Sequence, residues 1–192
     1  FYMKDLSWNY YNALSSEVVD SITEICLNEK LVDGKIGHID ESYLVDSKIR
    51  KSKIAMLDKK KHAQIFNLMF SYALDCNRFA YGFDIDQIEN CQFSVYDSAD
   101  NGFYDWHFDT QWGNSTLVDR KISMVVQLSD SKDYEGGAFE IEHVTYSPED
   151  KIKMQNKGAI ITFPAFLNHR VTPVTKGKRM SLIVWAEGKK FR

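Results

Sequence analysis

The stretch CQFSVYDSADNGFYDWHFD, residues 91–109, decides how the chain is read. Cys91, Phe93 and Val95 alternate with Gln92 and Ser94, a polar cluster from Asp97 to Gly102 breaks the run, and a second strand pattern starts at Phe103. Period two with turn residues between the runs is the pattern of successive half-buried β-strands. It continues to the C-terminus and predicts strands over residues 91–96, 103–109, 121–128, 137–143, 158–163, 168–173 and 178–186. Upstream of residue 88 the spacing is helical. Ser15 or Ser16 can cap a helix with Val18, Ile22, Ile25 and Cys26 on one face, and Asp58 can cap a second in which Ile65, Phe66, Met69, Phe70 and Ala73 recur. The expected fold is mainly β with supporting N-terminal α-helices, a double-stranded β-helix of the jelly-roll, cupin-like kind. Its helical support spans residues 1–87 and its β core residues 88–192, within one domain. An immunoglobulin-like sandwich is the alternative, and the long N-terminal helices and inward polar residues speak against it.

Of the 192 residues, 44% are hydrophobic and 14% aromatic, enough to close one core and to exclude disorder. No repeat, and no linker rich in Pro, Gly or Ser, marks a second domain. With 24 basic against 27 acidic side chains the net charge is -3. Domains that neutralise phosphates are usually strongly basic, so nucleic acid is not the expected partner. Cys26, Cys76 and Cys91 are far apart within apolar runs and read as reduced thiols. No run approaches the length of a membrane span and no leader pattern opens the chain, so a soluble cytoplasmic protein with no membrane partner is expected.

The chemistry starts from His107 and Asp109, an H-x-D pair that a strand would place on one face. Alone, such a pair reads as well as part of a surface strand. A third candidate, His169, follows in the strand-like segment Asn168–Pro173. Two neutral imidazoles and one carboxylate make the facial set that leaves positions open on Fe(II), whereas structural zinc would want four closed ligands, usually including Cys. Farther on, Arg179, Ser181 and Ile183 share one face of a strand while Met180, Leu182 and Val184 share the other. An inward guanidinium beside an inward hydroxyl needs a planar anion, and a dicarboxylate held bidentately would supply one. A surface ion pair is the competing explanation. Gly136 and Gly137 fit a turn that needs positive φ. The basic run from Lys48 to Lys61 reads as a solvated face, and His38, His62 and His143 have no motif partners.

These residues together resemble the 2-oxoglutarate and Fe(II)-dependent dioxygenases, in the prolyl 4-hydroxylase-like branch that includes the PKHD-type hydroxylases. The most specific pieces are His107-Phe108-Asp109, Glu135-Gly136-Gly137, the segment from His169 to Val174, and Arg179-Met180-Ser181, in the family's order. The resemblance implies that His107, Asp109 and His169 hold the iron and are the catalytic centre. It implies that Arg179 binds the 5-carboxylate of 2-oxoglutarate with Ser181 beside it, and that the Tyr96 hydroxyl reaches the same co-substrate. Gln127 stands where relatives often carry another tyrosine. O2 is then the second co-substrate, and ascorbate, which keeps the iron reduced, is implied by the same resemblance.

The reaction so implied couples decarboxylation of 2-oxoglutarate, giving succinate and CO2, to hydroxylation of a C–H bond, on a prolyl or other residue of a peptide or protein. Tyr104 and Trp106, on the face alternate to His107, Trp112 in a lid-like stretch over residues 110–119, and Arg120 after it would grip such a chain. Hydroxylation of a small molecule or free amino acid, and a non-catalytic jelly-roll binding module, are the alternatives. A nucleobase dealkylase would need a second Arg six residues after the first, where this chain has Trp185. Composition and spacing leave the oligomeric state open.

Overall fold

The protein is described by a computed structural model covering residues 5–37, 43–112 and 115–191. His38, Gly113 and Asn114 lie outside the described residues. In chain order the elements begin with Trp8–Tyr10 (β1), Ser16–Leu27 (α1), Val32–Asp33 (β2), Ile36–Gly37 (β3), Tyr43–Leu44 (β4), Arg50–Lys51 (β5), Lys53–Met56 (β6) and Ala63–Cys76 (α2). They continue with Gln87–Asp97 (β7), Phe103–His107 (β8), Val118–Gln127 (β9), Tyr134–Gly136 (β10), Phe139–Ile141 (β11), Pro148–Met154 (α3), Ile160–Pro164 (β12), His169–Val171 (β13) and Val174–Lys189 (β14). No helix among the described residues is long and apolar enough to cross a membrane.

Ser15 caps α1 by accepting the Val18 N–H at 3.5 Å, and Glu17 sits in the favourable first turn. The buried face is Val19, Ile22 and Cys26. Val18, expected on that face, is exposed, because the helix turns Val19 to the core in its place. Asp58 accepts the Lys61 N–H at 2.8 Å and so closes the turn before α2, which starts at Ala63 and not directly after Asp58. Ile65, Phe66, Met69, Ala73 and Cys76 form the buried stripe of α2.

The strands form an eight-stranded sheet in the order β1-β12-β9-β14-β7-β6-β2, with β10 also on β14, and a four-stranded sheet β11-β13-β8-β5, while β3 and β4 pair apart from both. Both are antiparallel. The large sheet is buried on both faces. Met124, Val126, Leu182 and Val184 join the core with α1 and α2, whereas Val125, Ile161 and Phe163 pack on the opposite side with Phe139 and Ile183. Helices behind one sheet and a second sheet in front make the double-stranded β-helix. All three cysteines are free and buried on the helix side.

Three expectations change in detail. The first third is not only helical: Trp8 pairs with Thr162, Ile54 with Ser94, and Arg50 with Tyr104, so it adds β1 and β6 to the large sheet and β5 to the small one. Strands of two to four residues are too short to show a period. The strand expected over residues 137–143 is shortened to β11 on the small sheet, and an unexpected strand, β10, precedes it on the large one. Gly136 and Gly137 make that crossing with φ of 75° and 60°, and a Cβ on Gly136 would lie 2.2 Å from the Pro173 carbonyl oxygen. The last strand runs sixteen residues instead of ending at residue 186.

Leu182 is fully buried between helices and sheet, while Leu27 on α1 is 57% exposed. Leu182→Ala is expected to remove about 2–5 kcal/mol of stability by urea denaturation, and Leu27→Ala less than about 0.5 kcal/mol. Equal losses would contradict this placement of the sheet.

Candidate metal centre and anion pocket

Strand β8 ends at His107, and its partner across the small sheet is His169 on β13. Asp109 lies just past the strand. Its N–H and that of Thr110 both donate to the Ala165 carbonyl, at 2.8 and 3.1 Å. The H-x-D pair therefore converges because the chain is turned back at the strand end, not because one strand carries both residues. His107 Nδ1 lies 2.7 Å from the Asp105 carbonyl and His169 Nδ1 2.9 Å from that of Leu167. Each ring can donate through Nδ1, which fixes its orientation and frees Nε2.

Those Nε2 atoms face one carboxylate: His107 is 3.9 Å from Asp109 Oδ1 and His169 3.5 Å from Asp109 Oδ2. The Ser123 hydroxyl donates to Oδ2 at 2.7 Å. Burial, and then the neighbouring His169, push the His107 ring down to about 3. Burial also works to raise the Asp109 carboxyl, but His169, His107, Arg120 and the Ser123 hydroxyl outweigh it and hold the group at about 2. A neutral imidazole and an ionised carboxylate are the forms a metal takes. Candidate ligand atoms of His107, Asp109 and His169 lie within 4.8 Å of one another, the one such cluster among the described residues. Three protein donors leave open positions, as redox catalysis by Fe(II) requires and structural zinc does not.

On β14 the Arg179 side chain is fully buried, and Nε, Nη1 and Nη2 all lack a hydrogen-bond partner among the described residues. Ser181 Oγ and Gln127 Oε1 are orphaned in the same way, and the two residues face each other across β14 and β9. Tyr96, directly opposite Arg179 on β7, places its ring 5.6 Å from the guanidinium carbon. Leaving a guanidinium buried and unpaired costs on the order of several kcal/mol, so Arg179 and the Ser181 hydroxyl suit a carboxylate, toward which Gln127 would have to turn its amide N–H group in place of the oxygen.

The metal cluster opens into a cavity of about 850 Å³ lined in part by Tyr96, Tyr104, Trp112, Arg120 and Trp185. A smaller one of about 390 Å³ shares Trp106 and Phe139 with it and reaches Gln127. Tyr104 was expected on the face alternate to His107. An extra residue on β8 between the Tyr104–Val171 and His107–His169 pairs reverses that parity, and the Tyr104 ring stacks on His107 at 3.5 Å. Burial lifts its hydroxyl to about 12. Trp106 stays on the other face, 41% exposed, with Arg170 4.7 Å above its ring. Trp112 is 55% exposed at the cavity wall. Arg120 is committed elsewhere: Glu89 accepts from its Nε and Nη2 at 2.5 and 2.9 Å, and its guanidinium lies 3.9 Å from the Trp185 ring.

Sequence reasoning passed over Arg50, Ser123, Tyr134 and Trp185. Arg50 was assigned to a solvated basic run, yet it is buried with its guanidinium 4.4 Å from the Tyr104 ring and its Nε donating to Ser52 Oγ at 2.7 Å. A polar residue at an inward strand position was the available signal for Ser123. Nothing in the strand period singles out Tyr134 or Trp185, whose hydroxyl and Nε1 are buried without hydrogen-bond partners among the described residues.

Residues 91–187 match the family model of the 2OG-Fe(II) oxygenase superfamily. A PKHD-type hydroxylase of Teredinibacter turnerae is 34% identical over 99 residues, 50% of this chain and 42% of that protein. The chain spans less than half the length of the first curated relatives it matches. Among solved structures, a Pseudomonas putida prolyl-4-hydroxylase superposes with a TM-score of 0.71 at 19% identity, covering 95% of this chain and 93% of that one. A prolyl hydroxylase from Trichoplax adhaerens, in complex with a hypoxia inducible factor oxygen degradation domain peptide fragment, gives 0.71 at 18% identity, covering 94% and 83%. Both show the shared fold.

The His107 ring, lowered from 6.5 to about 3, fixes a sign. Between those values the unfolded chain binds a proton there that the folded chain does not, so this group favours folding above 6.5 and withdraws that support as pH falls. Metal-free His107→Gln should show a shallower dependence of its urea midpoint on pH across this window than the metal-free parent. Identical slopes would contradict the burial of the ring.

Proposed function

Because the chain belongs to the 2OG-Fe(II) oxygenase superfamily, we propose that it is a 2-oxoglutarate-dependent dioxygenase in which His107, Asp109 and His169 hold Fe(II) and Arg179, with Ser181 and Gln127, holds the distal carboxylate of 2-oxoglutarate. The observation that carries this reading is the orphaned guanidinium of Arg179 inside the same barrel as an open metal triad. A non-catalytic module has no use for both. The balanced reaction takes 2-oxoglutarate, O2 and R–H to succinate, CO2 and R–OH. Bound at the triad, the metal supplies the redox chemistry that O2 activation needs, with ascorbate as its reductant.

The chain's own residues position and shield. Arg179 would hold the far end of the co-substrate and so orient it, with Tyr96 between the guanidinium and the triad cavity. Val125, Phe139, Val171 and Ile183 wall the cavity and exclude water around the reacting atoms. Ser123 holds the Asp109 carboxylate, and the Asp105 and Leu167 carbonyls hold the two rings.

The substrate we assign is a peptide or protein segment. A wide opening with Trp106, Phe108 and Trp112 exposed around it supports this, as does the peptide held by the Trichoplax adhaerens neighbour. Tyr104, Trp106 and Trp112 supply stacking surfaces. Arg120 acts together with Glu89 and offers hydrogen bonds without a net charge. The three buried free cysteines favour a reducing compartment, the cytoplasm, and strands from both ends of the chain in one sheet favour a single oxygenase domain.

Charge-assisted hydrogen bonds contribute about 1.5–3 kcal/mol each, so Arg179→Met, which removes a bidentate pair, should weaken 2-oxoglutarate by at least about 100-fold with metal affinity unchanged. His107→Ala should abolish succinate release; release at the parental rate would end the metal assignment. Trp112→Ala should raise the KM for a peptide substrate in a coupled assay. Unchanged peptide kinetics alongside efficient hydroxylation of a free amino acid would favour a small closed pocket.

A further inference from the structure

We infer that Tyr134 is a further donor to the distal carboxylate of the co-substrate, beside Arg179 and Ser181. The proposal rests on the assignment of Arg179 to that carboxylate. Tyr134 is 5% exposed, and its hydroxyl has no hydrogen-bond partner among the described residues. A tyrosine buried in an apolar cluster normally finds an acceptor for its O–H, so an orphan here marks a missing one.

The register places it beside Arg179. Tyr134 on β10 pairs with Gly177 on β14, and Arg179 lies two residues farther along that strand. A Cβ at Gly177 would meet the Asp133 carbonyl oxygen at 2.0 Å and Tyr134 Cα at 3.2 Å, so the missing side chain lets β10 come this close to β14. Gly137 touches both groups: a Cβ there would meet Arg179 Cδ at 3.0 Å and Tyr134 Cε2 at 3.6 Å. Tyr134 also packs in one cluster with Tyr96, whose ring meets the same guanidinium. The sheet crossing at Gly136 and Gly137 thus brings the hydroxyl to the anion pocket.

The chemistry closes as well. An ionised carboxylate offers about four acceptor sites. A bidentate guanidinium fills two, and the Ser181 hydroxyl fills a third. Gln127 has one orphaned amide oxygen, an acceptor, and needs a half-turn about its terminal torsion to donate. The Tyr134 hydroxyl donates as it stands, and so supplies the phenolic contact that position 127 lacks.

The test is calorimetric titration of 2-oxoglutarate into anaerobic Mn(II)-loaded protein, with 2-oxobutyrate, which has no distal carboxylate, as comparison ligand. Tyr134→Phe should weaken 2-oxoglutarate about 10- to 100-fold and 2-oxobutyrate less than about twofold, with Mn(II) affinity unchanged. An unchanged 2-oxoglutarate affinity, or equal losses for both ligands, overturns the proposal. If Tyr134→Phe fails to fold, Tyr134→His, which keeps a ring donor, must bind 2-oxoglutarate more tightly than Tyr134→Leu; equal binding overturns it. If the parent protein takes up no 2-oxoglutarate, the Arg179 assignment fails first. If the parent binds it, Arg179→Met loses it and Tyr134→Phe does not, only the present proposal fails.

Discussion

A guanidinium with neither solvent nor a protein acid to meet it is the constraint around which this fold makes sense. Arg179 sits in the central strand of the large sheet, fully buried, with no side-chain nitrogen paired among the described residues. A core built for stability alone would place an apolar side chain there. In the proposed reading that charge is kept for an anion, and the Arg179 fork and the Ser181 hydroxyl suit a planar one. The helix-side face of the sheet packs into the large apolar core, whereas the inner face joins a second apolar cluster to the orphaned polar groups of Gln127, Arg179 and Ser181.

The metal cluster follows a complementary rule. Its three side chains come from a strand end, the turn after it and the facing strand, and each is fixed by a group that is not itself a ligand. Backbone carbonyls orient the rings, so that orientation does not depend on any single side chain. Two glycines then carry the chain from one sheet to the other beside Arg179, where a Cβ would meet the Pro173 carbonyl or the Arg179 side chain itself. Tyr96 links the triad and the anion pocket: it lines the cavity of the triad, and its ring lies 5.6 Å from the Arg179 guanidinium.

Much of this was legible beforehand. Period-two alternation located the long strands, and the order His107, Asp109, His169, Arg179 identified the family that the comparison confirms. What escaped was what alternation cannot encode. Strands of two to four residues in the first third carry no period. The bulge on β8 moves Tyr104 onto the face of His107, which strict alternation forbids. Arg50 looked solvated within a run of lysines, yet the pairing of β5 with β8 folds it over Tyr104. Arg120 looked like a free cation until the structure placed Glu89, thirty-one residues earlier, beneath it. Each is a tertiary contact that overrides a local signal.

The central claim is that one dicarboxylate joins the orphaned guanidinium to the metal triad. The most direct test is a crystal structure of the protein grown anaerobically with Mn(II) and 2-oxoglutarate. The account predicts metal on His107, Asp109 and His169, the 2-oxo acid end of the ligand directed at it, and the distal carboxylate on Arg179 and Ser181. Metal held by a fourth protein ligand, or Arg179 turned onto a protein carboxylate with 2-oxoglutarate elsewhere, would contradict it.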